Sequence, residues 1–239
     1  MLLESTSTPK VWAILPARSG SKRMPNKNLS HFNGVPLVTN TLIKLDSIKM
    51  ENLVLILTSD SNDILKLSND FDKCRNHKRS ESSTDTATAD DVIIELLKCE
   101  DFEFDFEFDW ILYCQPTSPL IKASQYLDAI KLGLESDKNI ISVADKPLYL
   151  DKMLILDSEG SVDLCYPDAD PTRNAQEAKH VVYIPNGAVY FFKIRDFRKA
   201  NKFPIVGSLP LMMAAAESID IDNLSDLELA ERIYNYEQF

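Results

Sequence analysis

Glycine is scarce in this chain: six residues in 239, with Gly20 the only one between residues 11 and 33. That scarcity excludes the glycine-rich phosphate loops, GxxxxGK[ST] and GxGxxG alike, which need glycine at fixed positions. Histidine is also rare. His31, His77 and His180 lie far apart, and the four cysteines, Cys74, Cys99, Cys114 and Cys165, form no CxxC. No zinc site of ordinary spacing follows, and the cysteines read as reduced, mostly buried thiols. No apolar run approaches membrane-spanning length. The start, MLLESTSTPK, lacks the basic segment and apolar stretch of a secretory signal, so a cytoplasmic location is expected. Basic charge is in overall deficit. A formal charge of −11 argues against nucleic acid and anionic membranes as partners.

Against that acidic background, one stretch is basic. Residues 11–28 read VWAILPARSGSKRMPNKN, and no Asp or Glu occurs between Glu4 and Asp46. An apolar run, Val11 to Leu15, opens into a loop carrying Arg18, Lys22, Arg23 and Lys27 among Ser, Gly and Asn. Arg18 suits bidentate oxygen contact, the lysines act as point charges, and backbone N–H groups around Ser19-Gly20-Ser21 can face an anion. The pattern suits a nucleotide triphosphate. By itself it equally describes a solvated basic loop.

The length accommodates one large domain, or one domain with a small appendage. Continuous apolar runs at 11–15, 53–58, 110–114 and 140–144 predict strands buried on both faces. Helical spacing predicts helices at 36–48, with Pro36 in the first turn, near 61–68 capped by Ser59-Asp60, at 88–98 capped around Thr86 to Thr88, and at 123–134. This alternation implies an α/β fold with a mainly parallel sheet and helices on both faces, whose ligands sit at the carboxyl ends of the strands. Residues 146–182, richer in Pro, Asp and Tyr, read as a β-rich excursion. The sheet resumes at 188–192, and a last helix covers 223–236. Residues 101–109 (DFEFDFEFD) read as a solvated edge strand or loop with one apolar face; a partner-docking strand is the alternative.

Asp220 and Asp222 flank Ile221. In an extended segment both carboxylates share one face, with Cα atoms about 6.5–7 Å apart. Such a pair suits Mg²⁺. The alternative is that Asp222 or Asn223 caps the last helix. Gln115-Pro116-Thr117-Ser118-Pro119 follows a buried strand, and its prolines stiffen the loop so that the groups between them are pre-aimed. A rigid turn serves equally well as an explanation.

Taken together, these segments resemble the bacterial acylneuraminate cytidylyltransferases (CMP-sialic acid synthetases). ARSGSKRMPNKN followed by FNGVPLV resembles their ARxxSKxxPxKN…xGxPL signature. KRSESSTDTAT, CQPTSPL, PNGAVY and SIDID resemble further family segments in the same order. The resemblance implies a nucleotide-diphospho-sugar transferase-like fold, with an α/β domain at 10–145 and 183–239 and a protruding dimerisation arm at 146–182. It implies transfer of CMP from CTP to a nine-carbon keto acid sugar, with release of pyrophosphate, aided by Mg²⁺ or Mn²⁺ in a homodimer. By motif position, Arg18, Ser21, Lys22 and Lys27 would hold the CTP phosphates. Ala17, Asn28, Arg79 and Ala87 would hold cytidine. Gln115, Thr117 and Ser118 would line the nucleotide–sugar junction. Lys152, Arg173, Asn186, Tyr190 and Phe203 would contact the sugar, with Arg173 on its carboxylate. Asp220 and Asp222 would hold the metal, and with Arg18 and Lys27 form the catalytic set.

The chain also departs from the family pattern. Ile184 stands where Arg commonly precedes Pro-Asn-Gly, and Ile121 where QPTSPL is often followed by Arg. The 78–85 segment is one residue short, leaving Lys78 and Arg79 as competing cytosine-side cations. The spacing from Arg173 to Asn186 is long. No departure touches the basic loop or the Asp pair. Legionaminic and pseudaminic acids are therefore alternative substrates, with an eight-carbon Kdo-type sugar behind them. A sugar-1-phosphate nucleotidyltransferase would carry a GxGTR loop, which is absent. A non-catalytic nucleotide-binding regulator would be expected to lose the Asp pair or a loop cation.

Overall fold

The computed structural model describes residues 8–21, 23–80, 82, 84 and 86–237. Its centre is built from the apolar runs. In β1 (Val11–Pro16) every residue but the last is buried. Successive side chains of a strand face opposite sides, so Val11, Ala13 and Leu15 enter one core, and Trp12 and Ile14 the other. A hairpin of β2 (His31–Phe32) and β3 (Val35–Pro36) follows the basic loop. Its turn, Asn33-Gly34, has φ of 47° and 83°, the left-handed pair that a two-residue hairpin turn needs and that Asn-Gly tolerates. Pro36 precedes α1 (Leu37–Asp46) as its N-cap.

The chain continues through β4 (Leu53–Ser59), α2 (Asn62–Leu65), β5 (Cys74–Lys78), α3 (Ala89–Leu97), β6 (Trp110–Cys114), α4 (Ala123–Ser136) and β7 (Ile140–Ala144). The expected cap of α2 is corrected. Ser61 caps it, accepting the Ile64 N–H, while Asp60 turns to Ser19. Thr88 caps α3 in a reciprocal box with Asp91. Residues 101–109 form no strand. Phe102 and Phe104 pack on Trp12, Phe108 is exposed, and buried Asp109 accepts the Trp12 indole N–H at 2.8 Å.

Next comes the β-rich excursion: β8 (Leu148–Tyr149), β9 (Leu154–Leu156), β10 (Val162–Leu164) and β11 (Val181–Val182). β9 and β10 form a hairpin, and β8 pairs with β11 where the excursion leaves and rejoins the domain. β12 (Pro185–Lys193), α5 (Ile194–Arg198), β13 (Leu209–Met213) and α6 (Leu224–Glu237) complete the chain.

The main sheet has the order β13-β7-β12-β6-β1-β4-β5. Its neighbours run parallel except at β12, which is antiparallel to both β6 and β7. Helices α1, α2 and α4 cover one face, and α3 and α5 the other. Each fully buried Leu or Ile in these layers contributes about 1.5–3 kcal/mol through removal of apolar surface. α4 comes close to β12 at Gly133, where a Cβ would lie 2.5 Å from the Phe191 ring. A third cluster joins Phe32, Leu37, Leu120, Ile221 and α6. The cysteines are free, but only Cys114 is buried; the other three are half-exposed.

Candidate active site

The parallel strands β1, β4, β5 and β6 end on one edge of the sheet, and the segments following β1, β5 and β6 line a cleft of about 460 Å³. The basic loop leaves β1 there. Ala17, itself buried outside the cleft, donates its N–H to Thr58 at 2.9 Å. Asp60, just beyond β4, accepts both the Ser19 N–H and its hydroxyl at 2.8 Å. Burial alone would raise the Asp60 carboxyl, but those two donors, its own backbone N–H and the charge of Arg79 together hold the group below the usual range. Asn28 donates to the Arg18 carbonyl at 2.8 Å, closing the loop from its far end. Arg18, Gly20, Ser21, Arg23, Lys27 and Asn28 all reach the cleft. Lys22 lies outside the described residues.

Opposite the loop runs the segment before α6. The Ile221 N–H donates to the Thr117 carbonyl at 2.8 Å, setting Asp220 and Asp222 beside the loop after β6. Lys27 donates to the Ile221 carbonyl at 2.7 Å and lies 3.3 Å from an Asp222 oxygen. Arg23 meets the other Asp222 oxygen at 2.8 Å. Asp220 is open to solvent on one side, yet the protein around it pushes its carboxyl above the usual range, against the Thr117 hydroxyl and Lys27. Capping of α6 falls to Asn223, paired reciprocally with Asp226. Two hard carboxylates facing a cationic loop fit Mg²⁺ or Mn²⁺, which needs few protein oxygens and completes its shell with water and phosphate. Among the described residues no third acid, His or Cys joins them.

The third wall comes from β5, α3 and β6. Arg79 follows β5; it is 6% exposed and lines the cleft. Among the described residues its Nε and Nη2 have no hydrogen-bond partner. Burial pulls its pKa down, partly offset by Tyr113, Asp60 and Glu95. Lys78 turns away, donating to Asp60 and Asn62. Glu95 on α3 accepts the N–H and hydroxyl of both Ser80 and Ser82. Burial would raise its carboxyl, yet these donors, the Ser82 hydroxyl foremost, bring it down to about 2. Ala87, Thr88 and Ala89, at the start of α3, complete this wall. Gln115 and Thr117 line the cleft, whereas Ser118 is buried behind them. Lys44 and Asn40 of α1 converge on the Pro119 carbonyl and fix that loop from below.

The remaining expected sugar contacts lie elsewhere in this single chain. Tyr190 and Phe203 pack against Tyr113. Asn186 spends its amide on Ser142, Ala188 and Ser218. Lys152 is exposed in the excursion. Arg173 is paired at 2.8 Å with fully buried Asp151, which also accepts from Tyr166 and the backbone of Lys179 and His180. Thr88 and Tyr113 line the cleft without having been singled out as site residues from the sequence. Arg23, named there among the loop cations but given no ligand, lines it too.

A family profile described as cytidylyltransferase matches residues 12–158, more than half of the chain and nearly all of the cleft-forming loops. The chain belongs to the cytidylyltransferase family. It is therefore a nucleotidyltransferase. The CMP-N,N'-diacetyllegionaminic acid synthase of Legionella pneumophila subsp. pneumophila is 30% identical over 235 residues, covering 96% of this chain and 98% of that one. An N-acylneuraminate cytidylyltransferase of Escherichia coli O18:K1:H7 is 30% identical over 92% of this chain; the cytidylyltransferase described here spans about half (51%) of that relative's length. In fold it is similar to a CMP:2-keto-3-deoxy-manno-octonic acid synthetase complexed with CTP, with a TM-score of 0.66, 14% identity, and coverage of 95% and 99% of the two chains.

Proposed function

We propose that this cytidylyltransferase joins CTP to a nine-carbon 2-keto acid sugar of the sialic–legionaminic class, giving the CMP-sugar and pyrophosphate. The observation that carries the reading is the contact of Lys27 with Asp222 in one cleft, which supports assigning the lysine to phosphate and the carboxylate to metal. Arg18, Ser21, Lys27 and the loop backbone hold the triphosphate, with Lys22 assigned there by its motif alone. Asn28, Arg79, Ala87 and the chain at Ala17 hold cytidine.

Asp220 and Asp222 would hold Mg²⁺ or Mn²⁺. The cation supplies charge neutralisation at the α-phosphate when bound. Gln115 and Thr117 steer the anomeric hydroxyl in line with the α-phosphorus. Its oxygen bonds to phosphorus as the bridge to the β-phosphate breaks, and pyrophosphate leaves along the basic loop. The hydroxyl proton is assigned to the Asp220 carboxylate, on the same wall as Gln115 and Thr117.

The excursion at 146–182 serves as a dimerisation arm in this reading. Leu154, Ile155, Leu156 and Val162 expose large apolar surface on it, an arrangement that a second copy would cover. Lys152 and Arg173 then meet the sugar of a cleft completed by the dimer, together with Asn186, Tyr190 and Phe203. A cytoplasmic location, with CTP at hand, belongs to the same proposal; no described helix is long and apolar enough to cross a membrane.

Within the substrate class we favour a legionaminic-type sugar. The chain matches the Legionella synthase over nearly its whole length, and it departs from the sialic acid pattern at Ile121 and Ile184. Pyrophosphate release from CTP with Mg²⁺, across a panel of N-acylneuraminic, legionaminic, pseudaminic and eight-carbon keto acids, tests this. Fastest turnover on the legionaminic member is expected. Turnover of none, with CTP binding intact, would replace the enzyme reading by a regulatory one.

A further inference from the structure

One carboxylate beside the cleft belongs neither to the metal pair nor to the reaction. Asp60 lies just past the end of β4 and is not among the residues that line the cleft. Both of its carboxylate oxygens are committed. Oδ1 accepts the Ser19 N–H and Oδ2 the Ser19 hydroxyl, each at 2.8 Å. The aspartate is itself held in place. Lys78, at the end of β5, donates to its backbone carbonyl and to the Asn62 side chain, and the Ser61 N–H donates to the Ser59 hydroxyl.

Arg18, Gly20 and Ser21 line the cleft, and Ser19 between them does not. The basic loop is fixed at three consecutive residues. Ala17 is held by its N–H on Thr58, Arg18 by its carbonyl on Asn28, and Ser19 by Asp60. The third anchor turns residue 19 away, which leaves the cleft to its neighbours. A carboxylate is a costly choice for this place. Its negative charge, next in space to the cations of the loop, weakens the field that a triphosphate would feel. What it offers in exchange is geometry: it takes two donors at once, in charge-assisted hydrogen bonds roughly twice as strong as neutral ones.

We propose that Asp60 is a positioning residue for the triphosphate: it holds Ser19 out of the cleft so that Arg18, Gly20 and Ser21 face the phosphates, and it touches no ligand atom itself. This rests on the reading of the cleft as a CTP site and deepens it.

Calorimetry of the wild-type enzyme with CTP and with CMP tests the underlying reading first. Equal affinity for the two would remove the triphosphate assignment, and this proposal with it. With CTP preferred by the wild type, Asp60→Asn is expected to shrink that preference about tenfold, the scale of one hydrogen bond to a charged group. Its single oxygen replaces two, so the loop loses one of its two holds. The sign of the change separates two explanations. If the carboxylate acted through its charge alone, removing that charge would tighten CTP binding. Tighter CTP binding therefore overturns the proposal, as does an unchanged preference. Equal weakening of CTP and CMP, the mark of a general structural role, overturns it too. Should Asp60→Asn fail to fold, Ser19→Ala, which keeps the N–H, gives the same readout. A preference narrowed about threefold, the scale of one neutral hydrogen bond, is expected there, and an unchanged one overturns the proposal. Where both variants fold, the Ser19→Ala effect should be smaller in the Asp60→Asn background; full additivity would deny the coupling between them.

Discussion

Lys27 and Asp222 lie 3.3 Å apart, and Lys27 also holds the carbonyl beside that aspartate at 2.7 Å. A group assigned to phosphate and a group assigned to metal thus neutralise each other in the free enzyme, with Arg23 on the other carboxylate oxygen. On the proposed assignments, loading would exchange these pairings: Asp222 would give up its cations to phosphate and receive a divalent one.

Asp222→Ala should therefore separate chemistry from folding. Its pairs are partly exposed, at 35% for the Asp222 side chain and 72% for Arg23, so the stability cost is expected to stay below about 1 kcal/mol. Turnover should fall by about 10²–10³ or more, the scale of losing one charge-stabilising group. Pyrophosphate release and thermal melting read the two effects. Near-wild-type turnover would remove Asp222 from the reaction.

Arg79 carries the opposite signature. Its guanidinium is buried with two nitrogens unpartnered, which costs stability until a ligand arrives. Arg79→Met is expected to leave the free enzyme as stable as the wild type or more so. It should also weaken CTP binding by about 10–100-fold, as for a lost charge-assisted hydrogen bond. Melting with and without CTP measures both; a free variant markedly less stable than wild type would assign Arg79 a structural role.

Glu95 makes stability pH-dependent. Its carboxyl lies at about 2 in the folded protein against an ordinary 4.5. A depressed carboxylate pKa means its contribution is present above pH 4.5 and is lost as pH falls toward 2. For this buried group the contribution is on the order of 3 kcal/mol. Urea unfolding at stepped pH should show a flatter acid limb for Glu95→Gln between pH 4.5 and 2. Parallel curves for variant and wild type would contradict the assignment.

The arm yields the fourth test. Leu156 is 71% exposed and Val162 65%, on adjoining strands of one hairpin. Leu156→Asp with Val162→Asp should convert a dimer to a monomer in sedimentation. If arms complete each other's clefts, mixing Arg173→Ala subunits with Lys27→Ala subunits should restore part of the activity that each lacks. No recovery would confine each site to its own chain.

Central elements were legible because burial on both faces writes itself as unbroken apolar sequence: LVLILT and WILYC could be little else. Edge strands were not. β5 reads CRNHK and buries only His77, so it has no pattern to recognise. β13 contains Pro210, which argues against a strand; an edge position, with one side unpaired, accommodates it. At the site, the loop cations and the Asp pair were visible from charge contrast. The choice of Arg79 over Lys78 was not, because one residue of strand register decides which points inward. Tyr113 was hidden inside an apolar run, where a phenol counts as core. Asp60 looked like a helix cap because the Ser19 that claims it is 41 residues away.

The antiparallel placement of β12 also orders the protein's birth. A ribosome delivers β1, β4, β6 and β7 before the strand that must lie between the last two. Until residue 193 has emerged, β6 and β7 each keep an unfilled edge, the kind that recruits stray strands. The whole excursion at 146–182 has to be made during that interval. Completion of the sheet is a late, long-range event of the sort that slows folding. A chain interrupted anywhere in the excursion would hold all of the basic loop's cations and none of the strand that joins β6 to β7.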